Sequence, residues 1–176
     1  MDAVDKIPTL FVFNGTPVKA RPGFWLMILG LWALLTWLGS WRWSGQSLAA
    51  YALVGGVGVL LALLADVGHA CAHTISARLA NAPMDVILLR ADMPRTLYWN
   101  NDVPPRAHIM RSLGGPVYSG IGFLIGVGWL LLAPPDTPAL RYLGEIWTLA
   151  NGGIFLGVFA PIPIVDGAGG RGASLR

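Results

Sequence analysis

The stretch LLADVGHACAHTISARLA, residues 63–80, decides the reading of this chain, because it places Asp66, His69 and His73 in an otherwise apolar helix. Each residue advances about 100° around a helix, so His73 stands about 40° from His69 and Asp66 about 60° from it, on one stripe. Ionisable groups inside a bilayer are costly unless they are paired, hydrogen-bonded or holding an ion. Two histidines at i and i+4 can each aim a ring nitrogen at one cation, leaving positions for a third ligand and a water. The competing reading has the same rings hydrogen-bonded to carbonyls or to each other across helices.

The surrounding chain makes this helix a membrane helix. The 176 residues include only 12 Lys or Arg and 9 Asp or Glu against 55% hydrophobic residues, and the mean hydropathy is +0.60. That charge content is half that of a soluble domain, and it excludes both disorder and an ordinary soluble enzyme. One cysteine, Cys71, excludes a disulfide framework and a Cys-rich zinc site; at i+2 from His69 it points away from the stripe and reads as a small buried hydrophobe. Charge-free gaps at 22–41, 43–65, 112–135 and 146–165 each hold at least 20 residues, enough to cross a ~30 Å hydrocarbon layer.

The expected architecture is an all-α membrane protein of about four transmembrane helices with a small cytoplasmic β-hairpin. Its parts are an N-terminal segment 1–23, a helix at 24–41, a second at 48–80 capped by Ser47, a polar loop 81–111, helices at 112–133 and 143–165, and a tail 166–176. The first helix is too long and Trp-rich for a secretory h-region and is expected to remain as an anchor. Alternation at Val86, Leu88, Thr96 and Tyr98 predicts the hairpin, and IPTLFVFNGTPVKA, residues 7–20, is also expected to be extended. The glycines at 55, 56, 58, 120, 122, 126 and 128 offer surfaces for close helix packing. Glu145 is expected to pair with Arg141 one turn earlier.

Ten of the 12 basic residues fall on the side of the N-terminus, leaving Arg42 and Arg141 on the other. By the positive-inside rule both termini and the 81–111 loop are cytoplasmic, in a multi-pass protein of the inner (plasma) membrane. The basic residues are interleaved with Asp85, Asp92 and Asp102 and have no aromatic platform, so nucleic acid is excluded as a partner. The expected partners are the lipid bilayer and a transmembrane or membrane-proximal protein segment; oligomeric state is not legible. His108 reads as a solvated loop histidine.

The last apolar segment ends in FLGVFAPIPIVDG, residues 155–167. Counted from the outer helix ends, His69 and Asp166 both lie about 30 Å down, so they can meet in depth. Pro161 and Pro163 break or extend the helix there and free the chain to aim Asp166 inward; the plainer alternative is that Pro and Asp simply end a helix at the interface.

Taken together, GHACAH at 68–73, GGPVYSG at 114–120 and VFAPIPIVDG at 158–167 resemble the site-2 protease family of intramembrane zinc metalloproteases, over roughly residues 48–167. The resemblance implies a Zn2+ ion held by His69, His73 and Asp166, with Ser119 and Pro161 as candidate substrate-binding residues. It also exposes departures: the family's catalytic Glu is Ala70 here, its Asn after Gly-Pro is Ser119, and its Asn before the last Pro is Val158. The family continues past Asp-Gly into a further helix, so the short tail reads as a truncation. The expected function is zinc binding with impaired or no proteolysis. One alternative is an active metalloprotease using Asp66 or water in place of the Glu; another is an ion or proton transport protein.

Overall fold

The computed structural model describes residues 2–157. A short turn of helix, α1 (Asp2–Asp5), precedes two strands, β1 (Thr9–Phe13) and β2 (Thr16–Ala20). The long helices α2 (Pro22–Arg42) and α3 (Leu48–Leu79) follow, then β3 (Val86–Leu89), β4 (Arg95–Leu97), α4 (Pro105–Leu132) and α5 (Pro138–Gly157).

The helices begin and end where local chemistry dictates. Ser47 caps α3, its side chain accepting from the Ala50 N–H at 3.2 Å. Proline occupies the first turn of α2 and α4, where a missing N–H costs nothing. Helix α4 therefore starts at Pro105, seven residues before the expected 112, and takes Arg106 and Arg111 out of the loop; the charge-free gap located the apolar span but not its polar first turns. Helix α5 likewise begins at Pro138 rather than 143.

Among the described residues, α2, α3 and α4 are long and apolar enough to cross a membrane. Helix α5 answers to the fourth expected span and is more polar, carrying Arg141, Glu145, Thr148 and Asn151. Arg141 and Glu145 find partners beyond their own helix. Arg141 donates to the Ala133 carbonyl at 2.9 Å, at the end of α4. The expected Arg141–Glu145 pair does not form. Glu145 instead meets Arg42 of α2 at 2.9 Å, because Arg141 is drawn to the carbonyls that α4 leaves open.

Glycines let the helices approach. A Cβ on Gly55 would strike the backbone of Thr36, and one on Gly58 would strike Ile146. On α4, Gly122 abuts Asn151 and Gly126 abuts Thr148, whereas Gly128 faces open space. These contacts set Leu35, Val59, Tyr142 and Ile146 into one buried cluster joining α2, α3 and α5. Trp25, Trp37 and Trp41 stay exposed on α2, as side chains facing lipid would.

The predicted hairpin is present as antiparallel β3 and β4, but it does not stand alone. The N-terminal hairpin β1–β2 joins it, with β2 parallel to β3, giving a four-stranded sheet in the order β1-β2-β3-β4. Asn14 and Gly15 both adopt positive φ at the hairpin turn, 46° and 72°, the signature of a tight type I′ connection. The inner strands supply Val18 and Ile87, both fully buried, to a cluster that also contains Ala20, Phe24, Leu89 and Ala70 of α3. The sheet thus packs on the same turn of α3 that bears the two histidines.

Candidate metal centre

His69 and His73 are 6% and 3% exposed, and the helical offset brings their rings edge to face with centroids 4.7 Å apart. Their Nε2 atoms stand 3.1 Å apart. Each Nδ1 is tied to α4: that of His69 lies 2.8 Å from Ser119 Oγ, and that of His73 lies 2.7 Å from the Arg111 carbonyl oxygen. Two imidazole nitrogens bound at 2.0–2.1 Å to one tetrahedral zinc stand roughly 3.3 Å apart, so the observed spacing fits a shared cation. Metal-bound imidazoles almost always have the second nitrogen held by an oxygen in this way.

The proton positions follow from the acceptors. A carbonyl only accepts, so His73 Nδ1 is the donor and, in the neutral ring, its Nε2 carries the lone pair. The Ser119 hydroxyl can donate or accept. When it donates to His69 Nδ1, the His69 Nε2–H points to His73 Nε2 and a continuous hydrogen-bonded chain results. When it accepts, both Nε2 lone pairs face one place, as a cation requires. Were the pair to hold zinc, Ser119→Ala would be expected to lower the affinity by roughly 10- to 100-fold, read by chelator competition on the purified chain.

Two residues to which the sequence assigned no role in the site, Gly115 and Arg111, build this arrangement. Gly115 lies against the rings so closely that a Cβ would collide with Nε2 of both histidines. Its neighbour Gly114 passes just as close to the Ala72 carbonyl and Ser76 Oγ. The Gly114-Gly115 pair was legible in the sequence as part of a motif, but its steric purpose needed the packing partner. Arg111, one of the ten basic residues on the side of the N-terminus, is 2% exposed. Its Nε donates to the Ala82 carbonyl at 2.7 Å, its Nη1 to the Asn100 carbonyl at 3.1 Å, and its guanidinium lies 4.3 Å from the Tyr98 ring centroid. Arg111 thus clamps the 81–104 connection to α4 while its own carbonyl orients His73.

The remaining candidates are placed as follows. Ser119 is fully buried and engaged with His69. Asp66 is half-buried one turn before His69 and takes no part in the bonds just described. Ala70, 2% exposed, points its methyl into the apolar cluster formed with the sheet, which Cys71 also borders. His108 lies in the first turn of α4 beside Tyr98, with ring centroids 6.3 Å apart. Asp166, Pro161 and Val158 lie outside the described residues. Among the described residues no three His, Cys, Asp or Glu side chains converge as a metal site, so the two imidazoles are the described part of any such site.

No protein-family model matches the sequence. The chain is 26% identical over 167 residues to a protein named "Putative zinc metalloprotease Rip3", found in two strains of Mycobacterium tuberculosis; the match takes in 90% of this chain and 42% of that protein. The chain therefore spans less than half the length of the curated relatives it matches. Its fold is similar to that of the solved Site-2 Protease from Methanocaldococcus jannaschii, with a TM-score of 0.58, 17% identity, and coverage of 88% of this chain and 66% of that one. With transmembrane-length helices, paired histidines on the second of them and this likeness in both sequence and fold, the chain is a site-2-protease-like membrane protein.

Proposed function

We propose that this protein binds zinc in the membrane through His69, His73 and Asp166 and engages a transmembrane or membrane-proximal protein segment with little or no cleavage of it. The observation that carries this reading is the pair of Nε2 atoms 3.1 Å apart, with each Nδ1 already committed to an oxygen of α4. Bound zinc would polarise a carbonyl and lower the pKa of a water. Peptide hydrolysis further needs a group that takes the water's proton and passes it to the leaving amine. At the family's position for that group this chain offers the Ala70 methyl, packed against Val18, Phe24 and Ile87. Ser119 and the Arg111 carbonyl hold rings in place and are occupied in doing so.

One observation favours a second reading, an active protease. Asp66 is half-buried on the histidine stripe, and no hydrogen bond or ion pair ties it down among the described residues, so its carboxylate is free to act as a base through a water. The third reading, ion or proton transport, draws on the same ionisable stripe. Metal analysis together with incubation of the zinc-loaded protein with labelled transmembrane peptides separates them. The proposal expects about one zinc per chain, lost in His69→Ala, and intact peptides. Cleavage abolished by chelator and by Asp66→Asn would establish the second reading instead. Proton flux into liposomes that is lost in Asp66→Asn and indifferent to chelator would establish the third.

A further inference from the structure

A groove runs along the outer seam between α3 and α4. The larger of its two parts is an open depression of about 410 Å³ walled by the exposed side chains of Ile75, Leu79, Leu113 and Val117, with Met110 at one end and Tyr118 at the other. A second cavity of about 230 Å³ shares Leu79 and Met110 with it and reaches Asn81 and Arg106 at the helix ends. Together they form one track from Tyr118 to Arg106, 12 positions of α4 or about 18 Å. That is close to the ~15 Å of hydrocarbon in one leaflet.

We propose that this track holds one anionic phospholipid, an acyl chain lying along the Leu79–Val117 wall and the phosphate resting on Arg106. The track is lined mainly by apolar side chains and is cationic at its mouth, the order of chemistry found along a lipid. Arg106 is exposed, and the ion pairs among the described residues engage Arg42, Arg90 and Arg95 instead. Ser76, the polar group at depth, is committed to the His73 and Arg111 carbonyls. A packed protein helix would favour a stripe of small residues that lets its backbone approach. Here the walls are bulky, and Gly114 spends its open side on Ala72 and Ser76 of α3. Basic sites between transmembrane helices at the cytoplasmic side suit anionic headgroups.

The test is native mass spectrometry of the full chain released from nanodiscs containing equal phosphatidylglycerol and phosphatidylcholine. Preferential retention of one phosphatidylglycerol is expected. Arg106→Gln should reduce that preference roughly fivefold, the effect of one arginine near an anionic surface. Arg21→Gln, which removes a cation from the same end of the bundle just before α2, should leave it intact, and Leu113→Trp, which fills the groove, should reduce retention of both lipids. Thermal unfolding in detergent is expected to stay unchanged in all three variants, which reports that they fold. Equal retention of the two lipids, or equal losses in the Arg21 and Arg106 variants, would overturn the proposal. So would photocross-linking at position 113 that captures an added transmembrane peptide in preference to lipid.

Discussion

Gly115→Ala is expected to abolish zinc retention and to destabilise the bundle by about 1–3 kcal/mol, the cost of overpacking a tightly fitted interior. The added methyl meets the Nε2 atoms of both His69 and His73, which are the ends of rings held at their other side by Ser119 and the Arg111 carbonyl. They have no flexible tail with which to yield. Either α4 moves away, breaking both Nδ1 contacts, or the rings rotate and their nitrogens cease to converge. Gly128→Ala is the matched control on the same helix, since nothing lies within 4 Å of its added Cβ. It is expected to be neutral or to stabilise by about 0.5–1 kcal/mol, because alanine loses less freedom in a helix than glycine. Zinc content by mass spectrometry and thermal unfolding in detergent check both outcomes; a Gly115→Ala protein that keeps its zinc would show that the rings do not need this close approach.

Ala70→Glu, the change that restores the family's catalytic residue type, is expected to cost several kcal/mol of stability and to yield no peptidase. Position 70 is buried where α3 meets the sheet, against Val18, Ala20, Phe24, Ile87 and Leu89. A carboxylate there would lose its hydration among apolar side chains. Ala70→Gln adds nearly the same volume without the charge and should recover part of the loss, leaving the overpacking component. The measurement is unfolding of the three proteins side by side with a zinc-loaded peptide cleavage assay. A stable Ala70→Glu protein with chelator-sensitive cleavage would mean that this side of α3 still opens toward the metal, and that one substitution separates this chain from an enzyme.

The helical part of the fold was legible because a bilayer imposes a length and an apolar composition that few other environments demand. The cap at Ser47 and the extent of α3 followed from local sequence in the same way. Pairing across distance was less visible. The sequon-like Asn14-Gly15-Thr16 is a hairpin turn, a reading available from Asn-Gly between two apolar runs, but its hairpin joins β3 only after two intervening membrane helices bring the ends together. Glu145 was assigned to its helical neighbour Arg141, whereas the bundle offered both groups better partners, Arg42 for one and open carbonyls for the other. At the candidate site, the i, i+4 spacing predicted that two imidazoles could converge, and they do. The roles of Gly115, Ser119 and the Arg111 carbonyl belong to α4 and depend on its rotation against α3, which no periodicity in one helix specifies.

The convergence of His69 and His73 on one metal ion is tested most directly by X-ray absorption at the zinc edge on the purified chain. The expected spectrum shows two imidazole nitrogens at 2.0–2.1 Å with oxygen completing a tetrahedral shell, and loses the imidazole scattering in a His69→Ala, His73→Ala double variant. A zinc-loaded protein whose spectrum contains no imidazole, or is unchanged in that variant, would contradict it.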